Sequence, residues 1–317
     1  MTLAFVFPGQ GSQSVGMLAA LAAAEPVVRA TFAEASEVLG YDLWALCQQG
    51  PEAELGSTER TQPAMLAAGV ATWRCWLGRG GPRPLAMAGH SLGEYTALVC
   101  SGALDFRDAV DLVRFRGRVM QEAVPLGTGA MAAILGLEDD QVVAACRAAE
   151  QGEVAEAVNF NAPGQVVIAG HASAVARAID VAKGMGAKRA VTLPVSVPSH
   201  SRLMLGAAER LAERLADVDV RMPDVPAVYT VDVRTHASPD GIRRALKEQL
   251  YRPVRWAETV RAMLATGISE IVECGPGKVL TSLNRRIERR PDLTMLAVED
   301  PDGLAAALAA CREKDHG

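Results

Sequence analysis

The chain has 317 residues, 50% of them hydrophobic, 4% aromatic and 22% charged, an ordinary globular composition with room for one large core or a core and a satellite. Its net charge of −5 excludes a molecule built as a whole to bind nucleic acid, and no apolar run reaches the roughly 18 residues that a membrane-crossing helix needs. Six cysteines without a C-x-x-C pair speak against a zinc site or a disulfide framework.

The N-terminus enters an apolar strand-like run, Leu3 to Phe7, with no basic leader ahead of it, so a cytoplasmic protein with reduced, structural thiols is expected. Phe7-Pro8-Gly9-Gln10-Gly11-Ser12-Gln13-Ser14 then approaches the dinucleotide fingerprint G-x-G-x-x-G, but Ser14 occupies the third glycine position. A turn of this kind at a sheet edge serves equally well as half of an oxyanion hole.

The short apolar run Leu85 to Ala88, the pentapeptide Gly89-His90-Ser91-Leu92-Gly93 and a helical run from Leu92 to Ser101 together read as strand, tight turn and helix. That is the setting of a nucleophile elbow, in which the glycines two positions either side of the serine let strand and helix approach. Acyl transfer through a covalent serine ester is the chemistry it suggests. Projected at about 100° per residue, Phe106 to Met120 gathers its apolar residues into one arc, and Arg116 falls inside that arc. A buried guanidinium must be paired. Its partner is either a protein carboxylate in a structural ion pair or the carboxylate of a substrate, and periodicity leaves both open.

From Leu3 to about Glu122 strand-like and helix-like runs alternate, which predicts an α/β domain with a largely parallel sheet. The order then changes to strand (Met131–Leu135), helix (Asp139–Glu150), strand (Val154–Phe160), strand (Gln165–Ala169), helix (Ala172–Lys183) and strand (Ala187–Leu193). This βαββαβ order is ferredoxin-like. Loop-forming residues at 125–129 and 194–198 mark its edges, giving a small domain at 125–195 inserted into a large domain of 1–124 and 196–317. Helical patterns (Ser201–Ala216, Gly241–Leu250, Ala257–Thr266) and strand-like runs (Ala227–Asp232, Glu270–Cys274) resume the α/β order afterwards.

A nucleophilic serine needs a base, and the chain offers five histidines. His90 neighbours the serine and would point away from its hydroxyl, His171 and His236 sit in turn-like sequences that read as solvated loops, and His316 lies in a polar tail. His200 follows an apolar run and precedes a helix, at an element end where α/β proteins assemble sites, and is the favoured base. Gly275-Pro276-Gly277-Lys278 lacks the spacing of a phosphate-binding loop and reads as a strand-to-helix turn.

Seven segments in order, Phe7-Pro8-Gly9-Gln10-Gly11-Ser12-Gln13, Thr61-Gln62-Pro63-Ala64, Gly89 to Glu94, Arg116-Gly117, Asn159-Phe160-Asn161, Val197-Pro198-Ser199-His200 and Gly275 to Leu280, resemble the malonyl-CoA:acyl carrier protein transacylases. The resemblance implies an α/β-hydrolase-like large domain with a ferredoxin-like insert. It also implies Ser91 as nucleophile, His200 as base, the N–H groups of Gln10 and Leu92 as oxyanion hole, and the carbonyl of Gln249 as the group that orients the histidine. Arg116 would bind the malonyl carboxylate, with Gln62, His90, Asn159, Asn161 and Ser199 around the substrate.

The implied partners are malonyl-CoA and an acidic acyl carrier protein, with no cofactor, because the coenzyme A thioester is itself a substrate. Lys188, Arg189, Arg285 and Arg286 are the candidate basic docking residues, although each alone reads equally as a solvated charge. A monomer is expected. A polyketide or malonate-pathway acyltransferase shares these motifs, a serine thioesterase or esterase shares the elbow, and a non-enzymatic interaction protein is the rival from another class.

Overall fold

The computed structural model describes residues 2–195 and 197–313, so residue 196, at the expected domain boundary, and His316 lie outside the described residues. Strands β1 (Leu3–Phe7), β2 (Ala86–Gly89), β7 (Ala227–Val228), β8 (Glu270–Cys274) and β9 (Thr294–Val298) form one sheet, with β3 (Gly129–Leu135), β4 (Ala155–Ala162), β5 (Gln165–His171) and β6 (Arg189–Thr192) in another. The first sheet has the order β7-β2-β1-β8-β9 with every pair parallel. A parallel sheet is covered on both faces, and β1 illustrates the result. Leu3, Phe5 and Phe7 enter the core on one side, with Trp73 and Trp76, while Ala4 and Val6 join Trp256 and Val260 on the other.

The second sheet has the order β4-β5-β3-β6, all antiparallel. Helices Asp139–Ala149 and Ala172–Gly184 pack on one face around a core that includes Ile134, Ile168, Val166 and Val175. Its other face carries Met131, Val158 and Val167 with Leu193 and Val195. The two sheets are stitched together at β4, where Phe160 N–H donates to the Val254 carbonyl (2.9 Å) and Val254 N–H to the Val158 carbonyl (2.8 Å).

The expected elements differ from the structure mainly at their ends. The run Ala227–Asp232 forms only the two-residue β7, because Thr230 gives its N–H to the Glu94 carboxylate and Tyr229 pairs with Arg234 across a tight turn. Ser201–Ala216 divides into a 3₁₀ turn, Arg202–Met204, and the helix Leu205–Ala216. His171 is no solvated loop residue: it ends β5, and its Nδ1 accepts the N–H of Val154. His236 is also packed, with its ring edge-on to Tyr229 at 4.9 Å. The six cysteines are free thiols, five of them buried. Among the described residues no helix is long and apolar enough to cross a membrane.

In register, Phe7 of β1 lies beside Gly89 of β2, so the turns that leave these strands emerge side by side at the carboxyl edge. Here β1 has β2 on one flank and β8 on the other, the crevice where α/β sheets place their ligands. The approach of strand and helix is too close for side chains. A Cβ on Gly89 would stand 1.9 Å from the Gly93 carbonyl carbon, and one on Gly93 would stand 2.0 Å from the Phe7 carbonyl oxygen. Gly89→Ala and Gly93→Ala should each cost about 3 kcal/mol or more, read as a lowered midpoint in urea unfolding; a loss below the few tenths typical of surface changes would overturn this account of the turn.

Candidate active site

Ser91 sits on the turn between β2 and the helix Gly93–Cys100 with φ of 52°, in the left-handed region that serine seldom adopts. His200 is also left-handed, with φ of 65°. Strained backbone of this kind persists where the surroundings over-determine it. At His200 they do so through its own N–H, which donates to the Leu250 carbonyl (2.9 Å), and through the ring.

The His200 ring lies between a carbonyl and a hydroxyl, with Nδ1 2.6 Å from the Gln249 carbonyl and Nε2 2.8 Å from Ser91 Oγ. A carbonyl only accepts, so Nδ1 carries the proton and Nε2 is left free to accept the serine's. Burial first, and the Arg116 charge second, pull the imidazole down to about 3, against the weaker opposing pull of the Gln249 carbonyl. The ring is therefore neutral at any ordinary pH, the state a general base requires.

Arg116, on the helix Phe106–Gln121, is 1% exposed. Its Nη1 donates to Gln62 Oε1 (2.9 Å) and its Nη2 to Gln249 Oε1 (2.9 Å), with Ser91 Oγ 3.3 Å away. Tyr95 lies beneath the guanidinium, 5.4 Å from ring centroid to Cζ. Among the described residues no carboxylate comes within 4.0 Å of it, and Nε has no partner. The structural ion pair, one of the two readings that periodicity left open, is therefore not what the fold builds. The cation is held by neutral amides, and burial lowers its pKa from the usual arginine value.

Sequence reasoning passed over Glu94 as a site residue, and the structure places it directly behind Gln249. It is 2% exposed, accepts the Thr230 N–H (2.7 Å) and hydroxyl (2.6 Å), and accepts Gln249 Nε2 (2.7 Å). Burial pushes its carboxyl up to about 7, against the pull of these donors and of Arg116. A glutamate in the first turn of an otherwise buried helix was the available signal, since charged residues are rarely fully buried without a task.

A cavity of about 1290 Å³ opens over Ser91 and His200, bounded by Gln10, Leu92, Arg116, Asn159 and Ser199 and, from the antiparallel sheet, by Met131, Leu193 and Val195. Gln62 and His90 also line it. His90 turns away from the serine as expected and meets Asn161 Oδ1 through Nε2 (2.8 Å). The buried Oδ1 of Asn159 has no partner. Gly9 brings the Gln10 turn against the elbow, for a Cβ there would stand 2.4 Å from the His90 carbonyl oxygen. Leu92 precedes the first turn of its helix, where backbone N–H groups lack an intrahelical acceptor.

None of the four candidate docking residues lines this cavity. Arg189 pairs with Leu135, Leu135 pairs with Gln165, and Arg286 Nη1 donates to Gln165 Oε1, so Lys188, Arg189 and Arg286 share one rim of the antiparallel sheet. Arg285 instead donates to the Met295 carbonyl (3.0 Å) beside a smaller cavity of about 290 Å³.

The His200 shift has a sign that can be tested. The unfolded histidine takes a proton near 6.5 and the folded one refuses it until about 3, so stability falls as pH drops through that window. Glu94 acts oppositely, because its raised pKa costs stability as pH rises from 4.5 to about 7. In His200→Ala the stability lost between about pH 6.5 and 5 should shrink by about 2 kcal/mol, measured by urea unfolding at each pH; an unchanged slope would contradict a buried neutral imidazole.

Comparison with known proteins places the chain in a family. Residues 4–298 match the model of the acyl transferase domain family. The malonyl CoA-acyl carrier protein transacylase of Escherichia coli (strain K12) is 58% identical over 305 residues, covering 96% of this chain and 98% of the relative. Among solved structures, an acyl carrier protein S-malonyltransferase from Vibrio cholerae superposes with a TM-score of 0.93 at 56% identity, covering 96% of this chain and 99% of that one. A malonyl-transacylase solved with its type II polyketide acyl carrier protein superposes with a TM-score of 0.96 at 55% identity, covering 98% and 100%.

Proposed function

The chain belongs to the malonyl-CoA:acyl carrier protein transacylases of the acyl transferase family, and from that premise we propose how its residues move a malonyl group from coenzyme A to the carrier's thiol. The observation that carries the reading is a buried arginine beside the nucleophile with, among the described residues, no carboxylate against it. A substrate carboxylate is the partner that site lacks.

Ser91 attacks the thioester carbonyl while its proton passes to His200 Nε2. The developing oxyanion is met by the N–H groups of Gln10 and Leu92. Collapse expels coenzyme A as its thiol, protonated by the imidazolium, and leaves a malonyl ester on Ser91 with its carboxylate on Arg116. The phosphopantetheine thiol of the carrier then gives its proton to His200, attacks the ester and departs as the malonyl thioester, returning the proton to Ser91.

A thiol leaves with a pKa of about 8.5, so the dyad needs no third acidic residue, and the Gln249 carbonyl suffices to hold the ring. The route needs no cofactor. Arrival of a carboxylate on Arg116 offsets the charge that, after burial, most depresses His200, so the base strengthens when the correct acyl group is bound. An acetyl group brings no such charge and leaves the buried cation unpaired. Gln62, His90, Asn159, Asn161 and Ser199 are assigned to the substrate's surroundings, with the unpartnered Oδ1 of Asn159 available to a donor on the acyl donor or carrier arm.

The malonyl thioester so made supplies fatty acid synthesis in the cytoplasm. The parallel sheet and its helices, 1–124 and 196–317, are read as an α/β-hydrolase-like domain and 125–195 as a ferredoxin-like insert, supported by the β4-β5-β3-β6 order and the insert's separate core. The acidic carrier is assigned to the rim bearing Lys188, Arg189 and Arg286, and Arg285, which faces the smaller cavity, is left out of it. The protein is read as a monomer.

Brief exposure to malonyl-CoA should add one malonyl mass to the intact protein, none to Ser91→Ala, and Arg116→Ala should lose preference for malonyl over acetyl donors by about two orders of magnitude. Equal labelling of the wild type by both donors would refute the carboxylate site. Reversing the rim charges with Lys188→Glu and Arg189→Glu should raise KM for the carrier by about threefold or more at low salt, while ester formation from malonyl-CoA is unchanged; an unaltered carrier KM would place docking elsewhere.

A further inference from the structure

We propose that Glu94 is a positioning residue for the acyl-carboxylate site: as a group that only accepts hydrogen bonds, it dictates which way the Gln249 amide points and thereby holds Arg116 open for substrate. The inference rests on the transfer reading above and assigns a task to a buried carboxylate which the reaction itself does not use.

The argument is one of donor and acceptor matching. Glu94 Oε1 is taken by the N–H and hydroxyl of Thr230, and Oε2 faces Gln249 Nε2 at 2.7 Å. An ionised carboxylate offers no donor, so only the NH₂ end of the Gln249 amide can meet it. The second N–H of that group donates to the Ser91 carbonyl at 2.8 Å. The amide oxygen is left to receive Arg116 Nη2 at 2.9 Å. Turning the amide over would set its oxygen against the carboxylate and the Ser91 carbonyl, and its NH₂ against the guanidinium. Three mismatches in the buried interior fix one orientation.

The same chain separates two charges. Glu94 supplies a negative counterpart to Arg116, yet the interposed amide keeps the carboxylate from occupying the guanidinium face that substrate must use. A carboxylate at position 249 would form a direct buried ion pair and compete with malonate. The other titratable groups facing Glu94 are Arg116, Tyr95 of its own helix and Tyr229 beyond β7, and burial pushes both phenols above their ordinary range. None of these titrates near neutrality.

Glu94→Gln removes the logic without removing the volume. Whichever way the new amide turns, its NH₂ meets either the Thr230 N–H or the Gln249 NH₂, and the Gln249 side chain loses its fixed direction. Adduct formation on Ser91 from malonyl-CoA and from acetyl-CoA should then show a malonyl preference about tenfold weaker than wild type, with a raised KM for malonyl-CoA. Labelling by acetyl-CoA should persist. Glu273→Gln is the structural control, because that buried glutamate caps a distant helix through the N–H groups of Leu280 and Thr281. It should lower Tm and leave the preference intact.

Should Glu94→Gln fail to fold, the wild type still decides. Protonating Glu94 places a donor against donors, so the malonyl preference should decline as pH falls through about 7, where burial holds this carboxyl. Wild-type preference that is flat across that range, or a folded Glu94→Gln that keeps full preference and merely loses Tm as Glu273→Gln does, overturns the proposal. A wild type that takes no malonyl adduct at all removes the transfer reading itself, a different failure from retained preference in the variant.

Discussion

A cation held in the protein interior by two amides, with a serine hydroxyl and an aromatic ring beside it, is the constraint around which this molecule is arranged. Desolvating a guanidinium without a counter-charge is costly, and the fold meets that cost with acceptors drawn from distant parts of the chain: Gln62 from the helix Thr58–Gly78 and Gln249 from the end of Pro239–Gln249. The Arg116 charge also reaches Ser91 and His200, whose hydroxyl and imidazole lie in the same small space. The guanidinium, the serine hydroxyl and the imidazole therefore form one electrostatic unit.

Gln249 joins the parts. Its backbone carbonyl fixes the His200 tautomer, its amide oxygen receives Arg116, and its amide nitrogen bridges the Ser91 carbonyl and Glu94. A single residue at a helix end thus aligns His200, Ser91 and Arg116. A helix terminus suits this work, because its last carbonyls lack intrahelical donors and are free to take others.

The two sheets contribute differently. The parallel sheet brings the Gln10 turn and the elbow together by pairing Phe7 with Gly89, and glycine at 9, 89 and 93 permits backbone contact that any Cβ would block. The antiparallel sheet supplies a wall. Its helix-free face carries Met131, Leu193 and Val195 into the cavity, and the β4 contact with Val254 holds Asn159 at the cavity wall, while Asn161, outside the lining, meets His90. An acyl ester enclosed on both sides is better shielded from water than one on an open elbow.

Local patterns made much of this legible. The tight turn needs glycines at fixed offsets, and that spacing together with the flanking strand-like and helix-like runs singled out Ser91. Arg116 betrayed its burial through helical period, and the order of elements predicted a largely parallel sheet and the βαββαβ insert but not β9, the fifth strand of the parallel sheet. The stunted β7 was not legible, because the side chain of Glu94, far away in sequence, takes the N–H that would have extended the strand.

Identity of the partners was likewise beyond local reading. Helical period could say that Arg116 is buried but not whether a carboxylate or an amide would face it, because Gln62 lies 54 residues away and Gln249 133 residues away. Residue types and short spacings by themselves determined the tight turn that carries Ser91, the buried cation Arg116 and the order of most elements, since turn sterics and amphipathic period act within a few residues. Only tertiary structure decided that, among the described residues, no carboxylate would touch the cation and that Glu94 would stand behind Gln249, because hydrogen-bond matching in a desolvated interior is settled among groups that meet only when the chain is folded.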